Sequence, residues 1–407
     1  MDTIRKILEK RLLINLASFM VLIFILPFAH TMTLRLVAIF IPVLFWLLDT
    51  IINRRLAFKR TALDIPVLFL LLWGLFSTIF SVDFKYSLKE YRGDMVTGFL
   101  LLFSSINNIE KNKVEKIIDA LMIGVAILCL YGVLEYFGIA GQMKMKGRAD
   151  SFTPDPQYFS TYIILVLPVV FYRFCAAVGS TKYLYLLIAS LALLSLVLSF
   201  TRGAWIVAFI ELVIWGLFID RKILIFLIVV IIIGAVGLTM TSGHRLSEKS
   251  LLEQYRDSDS VRIRLWKFGI IHLKDSPVFG IGYGRKNFAA VYPEFFKKDT
   301  QHFHTHNTFI NIGLELGIPG LIALLWLFWV ILKSLWKDWK DKLNENRILS
   351  FAIFVSVVGF LVRIQLDHLL VDEMALMLWL LVGMGFAISN PPSPPFSKGG
   401  MGGLLRR

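Results

Sequence analysis

This sequence predicts an all-α polytopic membrane protein with about twelve transmembrane helices and one large outward loop containing short helices. Three observations carry that prediction. First, 57% of the residues are hydrophobic and only 18% charged, where soluble domains carry about 45–50% and about 25%. Second, apolar runs close to the roughly 20 residues that cross a bilayer recur along nearly the whole chain. Third, basic residues gather in alternate short connections, as they do where those connections stay in the cytoplasm.

The runs fall at 12–29, 33–52, 63–81, 95–108, 116–137, 157–177, 183–199, 202–219, 223–240, 307–332, 349–366 and 374–389. The 95–108 run is the shortest. Helices 1–9 therefore occupy 1–240, a polar loop fills 241–306, and helices 10–12 occupy 307–390. The 391–407 tail, with its Pro391-Pro392-Ser393-Pro394-Pro395 and paired glycines, reads as a disordered cytoplasmic extension lacking the apolar mass to pack. Arg5, Lys6, Lys10 and Arg11 precede the first run. That run is longer than a signal-peptide core and has no small-residue cleavage site after it, so it reads as a retained anchor.

The net charge of +14 does not point to nucleic acid, because its distribution follows the loops. Arg54, Arg55, Lys59 and Arg60, then Lys111, Lys113 and Lys116, then Arg221 and Lys222, then Lys333, Lys337, Lys340, Lys342 and Arg347 fall on one side. That side is the cytoplasm, both termini with it, and the 241–306 loop faces outward. This loop holds eleven Lys and Arg although long translocated loops need none for orientation, which suits an anionic substrate. Cys129 and Cys175 sit within predicted spans and read as buried apolar residues.

The outward surface is then built from 82–94, 138–156, the turn at 199–202, the 241–306 loop and 367–373. In the turn, Arg202 is either a snorkelling side chain or a guanidinium fork aimed at phosphate oxygens. In the loop, the apolar spacing from Val261 to Leu273 predicts a helix capped by Asp259 or Ser260. It lies at the interface with its cations on headgroups, or turns Arg262 inward to share an anion with Arg202. Pro277-Val278-Phe279-Gly280-Ile281-Gly282-Tyr283-Gly284 reads as a tight loop rather than a phosphate nest. His302, His304 and His306 alternate and project to one face of an extended chain. A metal triplet is one reading; surface histidines at 302 and 304 with a distinct role for His306 is the favoured one. His306 stands where the loop meets a span, beside Asn307, which orients its ring or caps the next helix. An imidazole there is suited to take a proton from a hydroxyl.

Arg202-Gly203-Ala204-Trp205, Arg262-x-x-x-Trp266, Pro277-x-x-Gly280-x-Gly282-x-Gly284 and His306-Asn307-x9-Gly317-x-x-Gly320 stand in order around one loop. In this the chain resembles the O-antigen ligase superfamily, which comprises lipopolysaccharide O-antigen ligases, Wzy-type polymerases and bacterial O-oligosaccharyltransferases. The resemblance covers about 148–325 by motif and the remainder by architecture. It implies a bacterial inner-membrane enzyme with its active site facing the periplasm. An undecaprenyl-pyrophosphate-linked glycan would be the donor, and lipid A-core or another hydroxyl-bearing molecule the acceptor. Transfer would be inverting and would need neither metal nor cofactor. His306 would activate the acceptor hydroxyl; Arg202 and Arg262 would hold the pyrophosphate, with Arg264 a rival to Arg262 and Arg148 a third contact. Asn307, Trp266, Gly317 and Gly320 would support them. The 147–157 element departs from the family's usual Asn-Pro-Asn, reading Asp155-Pro156-Gln157 here.

The rival class is a transporter or flippase of polyprenyl glycans. Ionisable groups inside the predicted spans are expected of transporters, and Asp49, Glu135, Glu211 and Glu315 are few for an ion path.

Overall fold

A computed structural model describes residues 10–53, 58–145, 147–224, 249–296 and 304–389, with side chains left out at 53 and 249–259. The described residues are helical apart from their connections, and among them the only bridge of extended backbone joins Met145 and Arg148. The helices are α1 (Arg11–Ile25), α2 (Met32–Asn53), α3 (Asp64–Ile79), α4 (Phe84–Glu90), α5 (Thr97–Asn108), α6 (Val114–Tyr136), α7 (Pro156–Ala176) and α8 (Ser180–Leu198). There follow α9 (Arg202–Phe218), α10 (Lys249–His272), α11 (Lys286–Val291), α12 (Pro293–Phe296), α13 (Thr308–Lys340), α14 (Arg347–Arg363) and α15 (Asp372–Ile388). Five described helices are long and apolar enough to cross a membrane: Met32–Ile52, Lys111–Tyr136, Pro156–Ala176, Ser180–Leu198 and Thr308–Lys340. Within the described residues every predicted apolar run is helical; most of 223–240, the 391–407 tail and His302 lie outside them.

The bundle is organised around α7, which is buried on nearly all sides from Pro156 to Phe171, as an all-round apolar helix must be. Helix α14 packs against α7, α13 and α9, while α15 packs against α5 and α13 against α3.

Two expectations are corrected. The 82–94 segment is not a connection: α4 runs through a π-helical turn at Tyr91–Val96 into α5, making one helical stretch from Phe84 to Asn108. Its charged residues hide it from hydropathy, but Asp83 caps it by accepting from the Tyr86 N–H, and the Thr97 hydroxyl bonds back to the Arg92 carbonyl. The second concerns the loop helix, which starts at Lys249 rather than being capped at Asp259 or Ser260.

Helix α13 is broken at Gly317, whose φ of 70° and ψ of −178° are not helical. The break frees backbone groups, which must find partners inside a bundle, and the glycine-rich loop supplies them. Ile281 N–H donates to Leu314 O at 2.8 Å, Gly282 N–H to Glu315 O at 3.1 Å, and Ile318 N–H to Pro277 O at 2.8 Å. Helix α3 completes the set: Ser77 donates to Glu315 O and the Trp73 indole to Leu316 O. The two glycine motifs are therefore halves of one splice, a pairing that the tight-loop reading of 277–284 did not include. A Cβ on Gly317 would lie 2.1 Å from Val278 O, and one on Gly280 2.3 Å from Glu315 O. Gly317→Ala should cost about 1–3 kcal/mol for the left-handed backbone alone, plus the clash, and should lower Tm in thermal unfolding. Gly93, with nothing within 4 Å of its Cβ position, is the control: its alanine variant should stay close to wild type.

Candidate active site

His306 sits in the last turn before α13. Its φ of 50° is a left-handed conformation that few non-glycine residues adopt and that persists only where surroundings enforce it. They do so here at several points. Asn307 caps α13, its side-chain oxygen accepting from Phe309 N–H at 3.0 Å and Ile310 N–H at 3.1 Å. Its amide donates to Gln365 O at 3.0 Å, and Thr308 N–H donates to Ile364 O at 2.9 Å. Asn307 thus proves to be a cap as well as a tie to the end of α14. The Trp266 indole donates to the His306 carbonyl at 3.4 Å, so Trp266 of α10 supports the same turn.

This stitching brings the imidazole to a partner that no motif announces. His306 Nδ1 lies 2.9 Å from Asp367 Oδ1. Asp367 is 8% exposed. Burial pushes its carboxyl up, but the hydrogen bond from His306 and the Arg363 charge outweigh that and hold it well below the usual carboxylate range. An ionised carboxylate here takes the Nδ1–H and leaves the ring lone pair on Nε2.

Near this pair stand arginines from three elements, Arg363, Arg148 and Arg262. Arg363, the last residue of α14, is 1% exposed and donates to Gln157 Oε1 at 2.5 Å. It shares one electrostatic neighbourhood with Arg148 and Arg262, countered by Asp367 and Asp155. Asp155 caps α7, accepting from Gln157 N–H and Tyr158 N–H. The Asp155-Pro156-Gln157 departure thus provides a cap and a clasp for Arg363. Arg148 reaches the 199–202 turn, donating to Ser199 O and Thr201 Oγ1, both at 3.0 Å.

Arg262 and Arg264 separate by helix geometry. Two residues along a helix they point about 200° apart. Arg262 is half-buried beside Leu265 and Trp266, on the face that packs toward α13, while Arg264 is exposed. Arg202 opens α9 and is exposed. Gly203 next to it packs on Leu366, where a Cβ would lie 2.8 Å from Leu366 Cδ1, so Arg202 stands at the edge of the turn that carries Asp367. Gly317 and Gly320 belong to the splice rather than to the reactive cluster.

His304, expected at the surface, is instead buried, and its Nδ1 accepts the His306 backbone N–H at 3.1 Å. Burial first, then the neighbouring His306 and His368, hold its pKa well below the ordinary value, so it is neutral at pH 7. His304, His306 and Asp367 offer donor atoms within 4.8 Å of one another, a spacing open to a metal ion. The Nδ1 atoms of both histidines already make internal hydrogen bonds, His304 Nδ1 to backbone and His306 Nδ1 to Asp367. Arg285, which follows the glycine loop, was also unmarked in the sequence. It pairs with Asp372 at 3.0 Å and its charge reaches both His304 and His368.

Among the described residues the chain is helical, five helices are long and apolar enough to cross a membrane, and a histidine–carboxylate pair lies near several arginines, the class of a helical membrane protein. Residues 187–325 match the sequence profile of the O-antigen ligase family. The chain is 24% identical to the O-antigen ligase of Salmonella typhimurium (strain LT2), over 73% of this chain and 76% of that one. Shorter matches reach an uncharacterized protein of Haemophilus influenzae (strain Rd), at 29% over 33% of this chain and 39% of that one. A third reaches the exopolysaccharide production protein ExoQ of Rhizobium meliloti (strain 1021), at 35% over 21% of this chain and 20% of that one. The chain is thus similar to O-antigen ligases, by profile over 187–325 and by sequence over most of its length, and its long apolar helices fit a membrane protein.

Proposed function

We propose that the protein transfers a glycan from undecaprenyl pyrophosphate to an acceptor hydroxyl at the periplasmic face of the inner membrane, most simply O-antigen to lipid A-core. In this reading twelve helices cross the membrane, both termini lie in the cytoplasm, and the 241–306 loop faces the periplasm. The observation that carries it is the His306–Asp367 pair beside the arginine cluster. His306 Nε2 takes the proton of the acceptor hydroxyl as its oxygen attacks the anomeric carbon. The bond from that carbon to the pyrophosphate oxygen breaks, its electron pair leaves with polyprenyl pyrophosphate, and the single displacement inverts the centre. Asp367 holds the ring and stabilises its cation; Arg202 and Arg262 bear the growing charge on the diphosphate, where a metal ion would otherwise serve. Arg148 and Arg363 add positive potential. Chelation should therefore leave the transfer rate unchanged; loss of activity in EDTA with recovery in zinc would assign His304, His306 and Asp367 to a metal instead.

The partial likeness to an exopolysaccharide production protein keeps a polymerase as the second reading, with protein O-glycosylation beyond it. Deleting the gene and resolving surface glycans on gels separates them. Bare core with accumulated lipid-linked polymer means ligase, core with one repeat means polymerase, and an intact ladder with unglycosylated protein means oligosaccharyltransferase. A flippase reading lacks a use for a histidine–carboxylate pair.

A further inference from the structure

Helix α10 has two faces of different character. Val261, Arg262, Leu265, Trp266 and Gly269 turn inward, Gly269 so closely that a Cβ would lie 2.8 Å from Ile310 and 3.0 Å from Thr305. The opposite arc carries Ile263, Ile270 and Ile271, which are 50–56% exposed, interleaved with exposed Arg264 and Lys267 and followed by exposed Lys274. A helix in water would not repeat isoleucine on its solvent face. The apolar surface continues through exposed Val278 and Phe279. Phe279 stacks on Trp73 of α3 at 5.5 Å and meets Phe80 at 4.9 Å. Helix α3 itself exposes Ile65, Leu68, Phe69, Leu72, Phe76 and Ile79, the row expected of a helix side turned to lipid. The isoleucine face of α10 is thus continuous with a lipid-facing side, and cations stand among its apolar groups, the composition that seats a helix at an anionic membrane surface.

We propose that this outer arc of α10 docks on the headgroups of anionic phospholipid in the leaflet beside the site, with Arg264, Lys267 and Lys274 on phosphates and the isoleucines below them. The same helix carries Arg262 on its inward face near Arg363, so its seating sets the depth of the site relative to the lipid phosphates. The proposal rests on the outward placement of this loop, and its test reads position rather than turnover, so it can fail while the transferase reading stands. A nitroxide placed by Ile270→Cys in the full-length Cys175→Ser protein reports lipid contact through oxygen and aqueous nickel accessibility. In nanodiscs containing phosphatidylglycerol it should be oxygen-accessible and shielded from nickel. Lys267→Gln and Lys274→Gln should each lower the seated population about fivefold, as should discs of phosphatidylcholine alone. Equal nickel access in both lipids would overturn the proposal. Shielding that ignores both lipid charge and the lysine changes, or that persists in detergent, would also overturn it, because protein or apolar contact alone then covers the face.

Discussion

Replacing His306 with alanine should lower the rate of glycan transfer by about 10²–10⁴-fold, the usual contribution of a general base, while donor binding stays nearly intact. The base acts on the acceptor hydroxyl and not on the pyrophosphate, so binding and rate should separate. Asp367→Asn should lose rate in the same pattern, because the neutral amide cannot stabilise the imidazolium formed as the proton moves. Donor affinity by equilibrium binding and transfer rate by product analysis, on the same preparations, check both. A fully active His306→Ala protein would remove the proposed mechanism.

The arginines should behave differently. The diphosphate is charged in the bound donor and more so as the bond breaks, so Arg262→Ala should weaken donor binding and also slow the chemical step, by about 10²–10³-fold in rate. Arg202→Ala should fall in the same class, and Arg202→Lys should restore only part, since a point charge cannot reproduce the guanidinium fork. Arg264→Ala should cost far less than Arg262→Ala, because the helix turns it about 200° away. Equal damage at 262 and 264 would contradict the orientation of α10 given above.

How much of this was legible in the sequence depends on whether the signal was local. Apolar runs are local, and within the described residues helices stand where they predicted them. The stretch from Phe84 to Val96 was missed because Lys85, Lys89, Glu90, Arg92 and Asp94 break the apolar pattern while leaving helix formation intact. The pairing of Gly280 with Glu315, and of Gly317 with Val278, needed coordinates; each motif alone shows only that glycine is present. The site divides in the same way. His306, Arg202 and Arg262 were marked by their motifs, whereas Asp367 meets His306 from 61 positions away in a short connection without one. One signal for that region was present and unused: Arg363 closes the apolar run at 349–366, and a cation inside such a run is a functional candidate by default.

The most direct test of the central claim uses the purified protein in nanodiscs with an undecaprenyl-pyrophosphate-linked glycan and its acceptor. The proposed chemistry predicts acceptor-dependent release of undecaprenyl pyrophosphate, matched one for one by a new glycosidic bond of inverted configuration, and unaffected by chelator. Movement of intact donor between leaflets, with no pyrophosphate released whether or not acceptor is present, would contradict it.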